Sequence, residues 1–310
     1  MKLVFCGTPQ FAVPSLERLV TSGFEVQLVV TQPDRPQGRG MEIVAPPVKQ
    51  AAQRLGLPVL QPDKIKANQD FQNQLRGLRP ETIIVVGYGR IIPPWMLELP
   101  PRGNINVHAS LLPKYRGAAP IQWAIASGEK VTGVTTMLLN EGLDTGDILL
   151  QKELAILPQD SALTLAPRLA DLGAGLLVET LRGLVQGSVH PVAQDRSLAT
   201  LAPILKKEDG QIDFTCTATE IHNRLRGFQP WPGASTQFRG KNLKIIAAQA
   251  SPERVPLAAG ELRWHEEQLL AGCGRETVLE LLQVQPEGRK AISAREFVSG
   301  YRPAAGERLG

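Results

Sequence analysis

Cysteine is scarce in this sequence. Cys6, Cys216 and Cys273 are the only three in 310 residues. Few, scattered and odd in number, they argue against a disulfide framework and against a zinc site. A reducing compartment suits such a count, so a cytoplasmic location is expected. Long apolar runs are missing too. Nothing approaches the roughly 20 residues of a membrane-spanning helix, so no membrane partner is expected. Met1 to Phe5 runs straight into a strand-like pattern, and no signal or transit peptide is expected there. Internal repeats and low-complexity tracts are absent. So is the Gly-rich dinucleotide fingerprint: Gly7 is followed by Thr8 and Pro9, not by G-x-G-x-x-G. A Rossmann-like opening therefore comes without the loop that cradles a nicotinamide dinucleotide. The acids from Glu141 to Asp147 lack the ligand spacing of a calcium loop.

What is present is ordinary in bulk. Hydrophobic residues make up 43% and charged residues 21% of the chain, a globular balance with length enough for two domains. The formal charge is +4 and the pI about 9.0, which admits a polyanionic partner without requiring one.

Read in order, Leu3 to Phe5, an amphipathic stretch from Phe11 to Ser22 and a strand from Glu25 to Val30 open a β-α-β pattern. Thr31 to Gly40 is rich in Pro and Gly and predicts a surface loop with no packed element. Helices are expected from Pro46 to Leu55 and Asn68 to Leu78, with a short strand from Pro58 to Leu60 between them. Thr82 to Val86 is the continuous β-branched run of a buried parallel strand. It ends in Gly87-Tyr88-Gly89-Arg90, at the edge where open α/β sheets bind ligands. Further strands are expected from Gly133 to Leu139 and Leu149 to Leu157, then a long helix from Ala162 to Leu184.

The chain is organised around Asn104 to Ala126. Ile105 and Val107 alternate with Asn104, Asn106 and His108, so one strand face is apolar and suits the core. The other aligns a carboxamide with an imidazole. Ser110-Leu111-Leu112-Pro113 breaks the strand, and Gly117 and Pro120 lead into a helix. A lone polar residue near a strand end is usually a satisfied hydrogen-bonding group; two on one face beside a Pro-containing loop point to a site.

After Ser188 the pattern changes. Residues 189–207 read as a linker. Beyond them short β-like runs dominate: Gln211 to Phe214, Leu243 to Ile246, Gly260 to Trp264, Leu269 to Ala271 and Val278 to Val284. One helix is expected near Ala218 to Arg226. The expected architecture is α/β: a Rossmann-like doubly wound sheet domain over residues 1–188, then a small antiparallel β-barrel, OB-like, over residues 208–310.

Several segments together resemble the 10-formyltetrahydrofolate-dependent formyltransferases, in particular the branch whose acceptor is the amino group of initiator methionyl-tRNA. They are Phe5 to Pro9, T-Q-P-D-R-P-Q-G-R-G from Thr31 to Gly40, N-V-H-A-S-L-L-P-K-Y-R-G-A-A-P-I-Q from Asn106 to Gln122, G-L-D-T-G-D from Gly142 to Asp147, F-Q-P-W-P from Phe228 to Pro232, and Leu282 to Lys290. The resemblance implies a catalytic trio of Asn106, His108 and Asp144. It implies a folate site around Tyr88, Gly89, Arg90 and Ile91, Ser110, Leu111, Leu112 and Pro113, and Asn140, Glu141 and Gly142. It implies tRNA contacts at Arg35, Arg39, Lys206, Lys207, Arg289 and Lys290. The co-substrate would be 10-formyltetrahydrofolate, with no metal, and the chain is expected to act as a monomer. Gly87 stands where the family is expected to carry alanine, a difference of one methyl group.

In such a reaction Asn106 can donate to a developing oxyanion. His108 can stabilise that charge or protonate the departing nitrogen. Asp144 can hold His108 in its charged form or relay the amine's proton through water. Lys206, Lys207, Arg224, Arg226, Arg239, Lys241, Lys244, Arg289 and Lys290 could face phosphates. A nucleotide-sugar or glycinamide ribotide formyltransferase, or an RNA-binding protein on a decayed enzyme scaffold, are the competing readings.

Overall fold

Apolar β-branched runs and amphipathic helices alternate through the first part of the chain, and they assemble as that alternation dictates. The structure, a computed structural model, describes residues 1–37, 40–252 and 255–310. In order come β1 (Lys2–Gly7), α1 (Val13–Thr21), β2 (Glu25–Val30), β3 (Arg35–Gln37), β4 (Glu42–Val44), α2 (Pro47–Arg54) and β5 (Val59–Leu60). There follow α3 (Gln69–Leu78), β6 (Thr82–Val86), α4 (Pro94–Leu97), β7 (Asn104–His108), α5 (Pro120–Ala126), β8 (Val131–Leu138), β9 (Ile148–Ala155) and α6 (Ala162–Gln186).

Seven of these strands form one sheet in the order β5-β2-β1-β6-β7-β8-β9. The first five are parallel, and β8 and β9 extend the sheet antiparallel. The chain winds outward from β1 to β5, then returns to the other side at β6. The switch point therefore lies between β1 and β6, where ligands of open α/β sheets sit beyond the carboxyl ends. Those ends carry Thr8 and Tyr88, and the Thr8 hydroxyl donates to the Tyr88 carbonyl at 3.0 Å.

Gly87 matters more than a missing methyl would suggest. Its φ is +55°, in the left-handed region, and a Cβ there would stand 2.9 Å from Pro9 Cγ. In this chain alanine is not an equivalent residue. Gly87→Ala is expected to lower unfolding stability by about 1–3 kcal/mol, from the left-handed penalty plus the displacement of Pro9. Chemical denaturation of the two proteins checks it.

Two local expectations are corrected. Within Thr31 to Gly40, Arg35 to Gln37 are not loop: β3 pairs antiparallel with β4 through Arg35↔Val44, Pro36↔Ile43 and Gln37↔Glu42. A two-stranded ribbon leaves alternate amides unpaired, so it accommodates Pro36. Its root is fixed by Asp34, which takes hydrogen bonds from Gln61 Nε2 at 2.6 Å and from Lys49 Nζ at 2.7 and 2.9 Å. Those two donors, Gln61 foremost, hold the carboxyl below the usual range. The run from Gln211 to Phe214 is not a strand. Gln211 makes a single bridge to Ser235, and Asp213 caps a turn by accepting from the Thr215 amide and hydroxyl.

The remaining elements are α7 (Ala218–Gly227), β10 (Ala234–Phe238), β11 (Lys241–Ser251), β12 (Leu262–His265), β13 (Gln268–Gly272), β14 (Val278–Pro286), β15 (Ile292–Ser293) and α8 (Ala294–Tyr301). The strands form an antiparallel sheet in the order β10-β11-β14-β13-β12, with β15 on β14. Register shifts between Ile245 and Ala248 bend β11. The sheet surrounds one core that includes Phe214, Leu225, Ile245, Leu281 and Phe297. Capping boxes start α7 at Thr217 with Glu220 and α8 at Ser293 with Glu296.

Two compact units result. The first holds Met1–Pro120, Val131–Ala155 and Ala166–Ala202. The second holds Ile121–Lys130, Ile156–Leu165 and Pro203–Gly310. Two segments of the expected first domain are thus part of the second unit, where the Trp123 ring meets Phe228 edge-on at 5.3 Å. Among the described residues no helix is long and apolar enough to cross a membrane.

Candidate active site

Both faces of β7 are covered, because it is an interior strand of a sheet wrapped by helices. Its polar face is therefore buried as well as its apolar one: Asn104, Asn106 and His108 are 1%, 8% and 6% exposed. Burial separates the two asparagines. Asn104 Nδ2 donates to the Met96 and Leu97 carbonyls at 3.0 and 2.9 Å, which ties α4 to the sheet. Among the described residues the Asn106 carboxamide has no hydrogen-bond partner. Neither of its polar atoms is fully enclosed, whereas Asn104 Oδ1 is, so the Asn106 amide stays open to solvent or to a bound molecule.

His108 is held from both sides. Its Nε2 lies 2.9 Å from the Tyr115 carbonyl. A carbonyl can only accept, so Nε2 carries hydrogen. Nδ1 is left facing Asp144, 3.7 Å from Oδ2. That separation suits an ion pair and is too long for a hydrogen bond; catalytic contacts of this kind commonly tighten only when substrate engages. Tyr115 and Asp144 are both non-glycine residues in the left-handed region, with φ of 61° and 49°. Strained backbone thus flanks each ring nitrogen.

The loop carrying Asp144 is closed at its base. Leu138 N–H donates to the Asp147 carbonyl at 2.9 Å and Leu139 N–H to Asn104 at 2.8 Å. Gly146 cannot be replaced there, since a Cβ would fall 1.8 Å from the Leu138 carbonyl oxygen. Asp144 Oδ2 accepts from the Gly117 amide at 2.8 Å. The facing loop is equally fixed. Ser110 Oγ donates to the Lys114 carbonyl at 2.6 Å, Thr135 Oγ1 donates to the Ser110 carbonyl at 2.7 Å, and Gln151 Nε2 donates to the Leu112 carbonyl at 2.8 Å.

The other expected residues are placed as follows. The Tyr88 ring is packed in the core with its hydroxyl unpartnered, and burial pushes the phenol up. Gln32 Nε2 donates to the Tyr88 and Gly89 carbonyls at 3.0 and 3.2 Å. Arg90 reaches the Asp63 carbonyl. Ile91 is 91% exposed, as is Leu143 by 63% in the Asp144 loop. Leu111 and Pro113 are half-buried and Leu112 buried. Asn140 Oδ1 accepts from Gly142 N–H at 3.0 Å and Thr145 Oγ1 at 2.9 Å, while Glu141 is exposed.

Arg35 is exposed on β3, and Arg39 lies outside the described residues. Lys206 and Lys207, at the start of a short 3-10 helix, and Arg289 and Lys290, in the turn after β14, are exposed in the second unit. One other expected phosphate partner is corrected, and a second is paired at the surface. Arg226 is half-buried, donating to the Asp160 carbonyl and to Asn223 Oδ1, each at 2.7 Å. Arg239 is clasped by Glu307.

Sequence reading missed Thr135, Gln151, Arg116 and Gln194. Arg116 lies inside a quoted motif but is 8% exposed and donates through Nε and Nη2 to Gln194 Oε1 at 3.1 and 2.7 Å. Gln194 sits in the stretch read as a linker, where a glutamine among polar residues carries no signal. Among the described residues no three His, Cys, Asp or Glu gather as a metal ion requires.

Comparison with known proteins bears on this geometry. A formyl transferase family model matches residues 1–181, and a formyl transferase C-terminal domain model matches residues 204–302. Methionyl-tRNA formyltransferase from Koribacter versatilis is 64% identical over all of this chain and 99% of its own length. That from Solibacter usitatus is 53% identical over 100% and 99%. Among solved structures, the N-formyltransferase from Helicobacter canadensis shares the fold with a TM-score of 0.69 at 20% identity, covering 92% of this chain and 99% of that one. Phosphoribosylglycinamide formyltransferase from Bacillus halodurans matches 60% of this chain and 95% of its own, with a TM-score of 0.51 and 25% identity. With both parts of the sequence matched and full-length relatives this similar, the chain belongs to the formyl transferase family.

Proposed function

We propose that this protein transfers the formyl group of 10-formyltetrahydrofolate to the amino group of initiator methionyl-tRNA. The observation that carries the chemistry is the Asn106 carboxamide, without a partner among the described residues and not sealed from solvent, on the same strand face as the His108–Asp144 pair. The relatives of 46–64% identity, matched along 96% or more of their length, support the acceptor.

The donor brings a formyl carbon already activated by its nitrogen. The residues present suit it. The loops after β6 and β8 each expose one large apolar side chain, Ile91 and Leu143, as a flat bicyclic ring requires. Asn106 Nδ2 donates to the formyl oxygen as negative charge collects there. The neutral amine attacks the formyl carbon, and the bond from that carbon to the donor nitrogen breaks. His108, entering as the imidazolium with Nε2–H on Tyr115, gives its Nδ1 proton to the departing nitrogen and is recharged by the proton the amine loses. Asp144, facing Nδ1, stabilises the imidazole while it is charged or passes on the proton lost by the attacking amine. Arg35, Arg39, Lys206, Lys207, Arg289 and Lys290 are the proposed tRNA contacts, acting chiefly on phosphates.

The test is formyl transfer from 10-formyltetrahydrofolate to charged initiator tRNA, with a dTDP-amino sugar and glycinamide ribotide as parallel acceptors. Formylmethionyl-tRNA is the expected product. Formylation of either small amine in its place would overturn the acceptor assignment while leaving the catalytic trio standing.

A further inference from the structure

We propose that Gln194 is a positioning residue for Asp144, holding the main chain that aims its carboxylate at His108. The inference rests on the catalytic reading of Asp144 given above.

Gln194 is anchored on both sides. Val192 exchanges two hydrogen bonds with Ile148, each 2.8 Å. Ala202 donates to the Arg116 carbonyl at 2.7 Å, and Arg116 N–H donates to Thr200 at 2.9 Å. The orientation of the amide follows from its partners. A guanidinium only donates, so the atom facing Arg116 is the oxygen. The nitrogen then faces two carbonyls, which only accept. Nε2 donates to Asp144 at 2.9 Å and to Gly146 at 2.7 Å, which uses both hydrogens.

The chain of contacts closes on itself. Arg116 binds Gln194, Gln194 binds the Asp144 main chain, the Asp144 carboxylate takes the Gly117 amide, and Gly117 follows Arg116 in sequence. Tyr115, which precedes Arg116, holds the other nitrogen of His108. Asp144 has a left-handed φ of 49°, a conformation that persists only where its surroundings over-determine it. Among the described residues Arg116 has no carboxylate within ion-pair distance, so its buried charge acts on the Gln194 oxygen. That polarises the amide and strengthens its N–H groups as donors.

Gln194→Glu tests this selectively. The carboxylate keeps the partner of Arg116 but presents oxygen, not N–H, to the two carbonyls. Turnover is expected to fall about 10–100-fold, the scale of a small misplacement of a reacting group, with both KM values changed less than about threefold. Melting temperature is recorded alongside. If that variant does not fold, Gln194→Met, similar in volume and without donors, takes its place. Both are repeated in an Asp144→Asn background. A residue acting through Asp144 should cost less than about twofold there. The inference is overturned if turnover is unchanged, if only KM moves, or if the same factor is lost again beside Asp144→Asn. Full turnover in Asp144→Asn alone would instead sink the catalytic reading on which it stands.

Discussion

Replacing Asn106 with alanine lowers turnover roughly 10²–10³-fold, the expected loss when one oxyanion donor is removed. Stability should barely move. The carboxamide has no partner among the described residues, so truncation strands no buried donor or acceptor. His108→Ala is expected to cost roughly 10²–10⁴-fold, because the group that shuttles the proton is gone. Here the fold does suffer. The hydrogen bond to the Tyr115 carbonyl is lost, which costs about 0.5–1.5 kcal/mol. Single-turnover formylation and denaturant titration of both variants separate the two effects. Near-normal turnover in Asn106→Ala would remove this residue from the chemistry.

Asp144→Asn is the second large effect. The substitution keeps an oxygen for the Gly117 amide, so the loop should retain its shape. What it removes is the charge 3.7 Å from His108 Nδ1. Turnover is expected to fall roughly 10²–10³-fold with little change in donor affinity, since the lost interaction serves the transition state more than the ground state. Equal losses in turnover and in donor affinity, measured by equilibrium titration, would make Asp144 a binding residue.

Much of this was legible in the sequence because local pattern and fold agreed. The β-branched run at Thr82 to Val86 and the alternation at Ile105 and Val107 became neighbouring parallel strands. What pattern could not say was which polar residue stays free. Asn104 and Asn106 look alike on a strand, yet one is consumed by α4 and the other is not. Nor could it show that Arg226 turns inward. That depends on a carbonyl at Asp160, 66 positions away. The helix α8 was overlooked although Ser293 and Glu296 spell a capping box, because the strands around it set the expectation. The β3–β4 ribbon was overlooked for the opposite reason: Pro and Gly outweighed a pairing only three residues long. The contacts of Gln194 were illegible in principle, as its partners lie at positions 116, 144 and 146.

The makeup of the second unit has a consequence for synthesis. Trp123 belongs to it and packs on Phe228, yet emerges from the ribosome roughly a hundred residues earlier. At about 5–20 residues per second, the indole waits on the order of 5–20 s for its aromatic partner. Throughout that interval the nascent chain carries an unfinished apolar surface around residues 121–130, in the midst of sequence that can otherwise begin to fold. A chaperone that samples such surfaces has a defined window in which to bind, and the window closes only when the C-terminal part of the chain arrives.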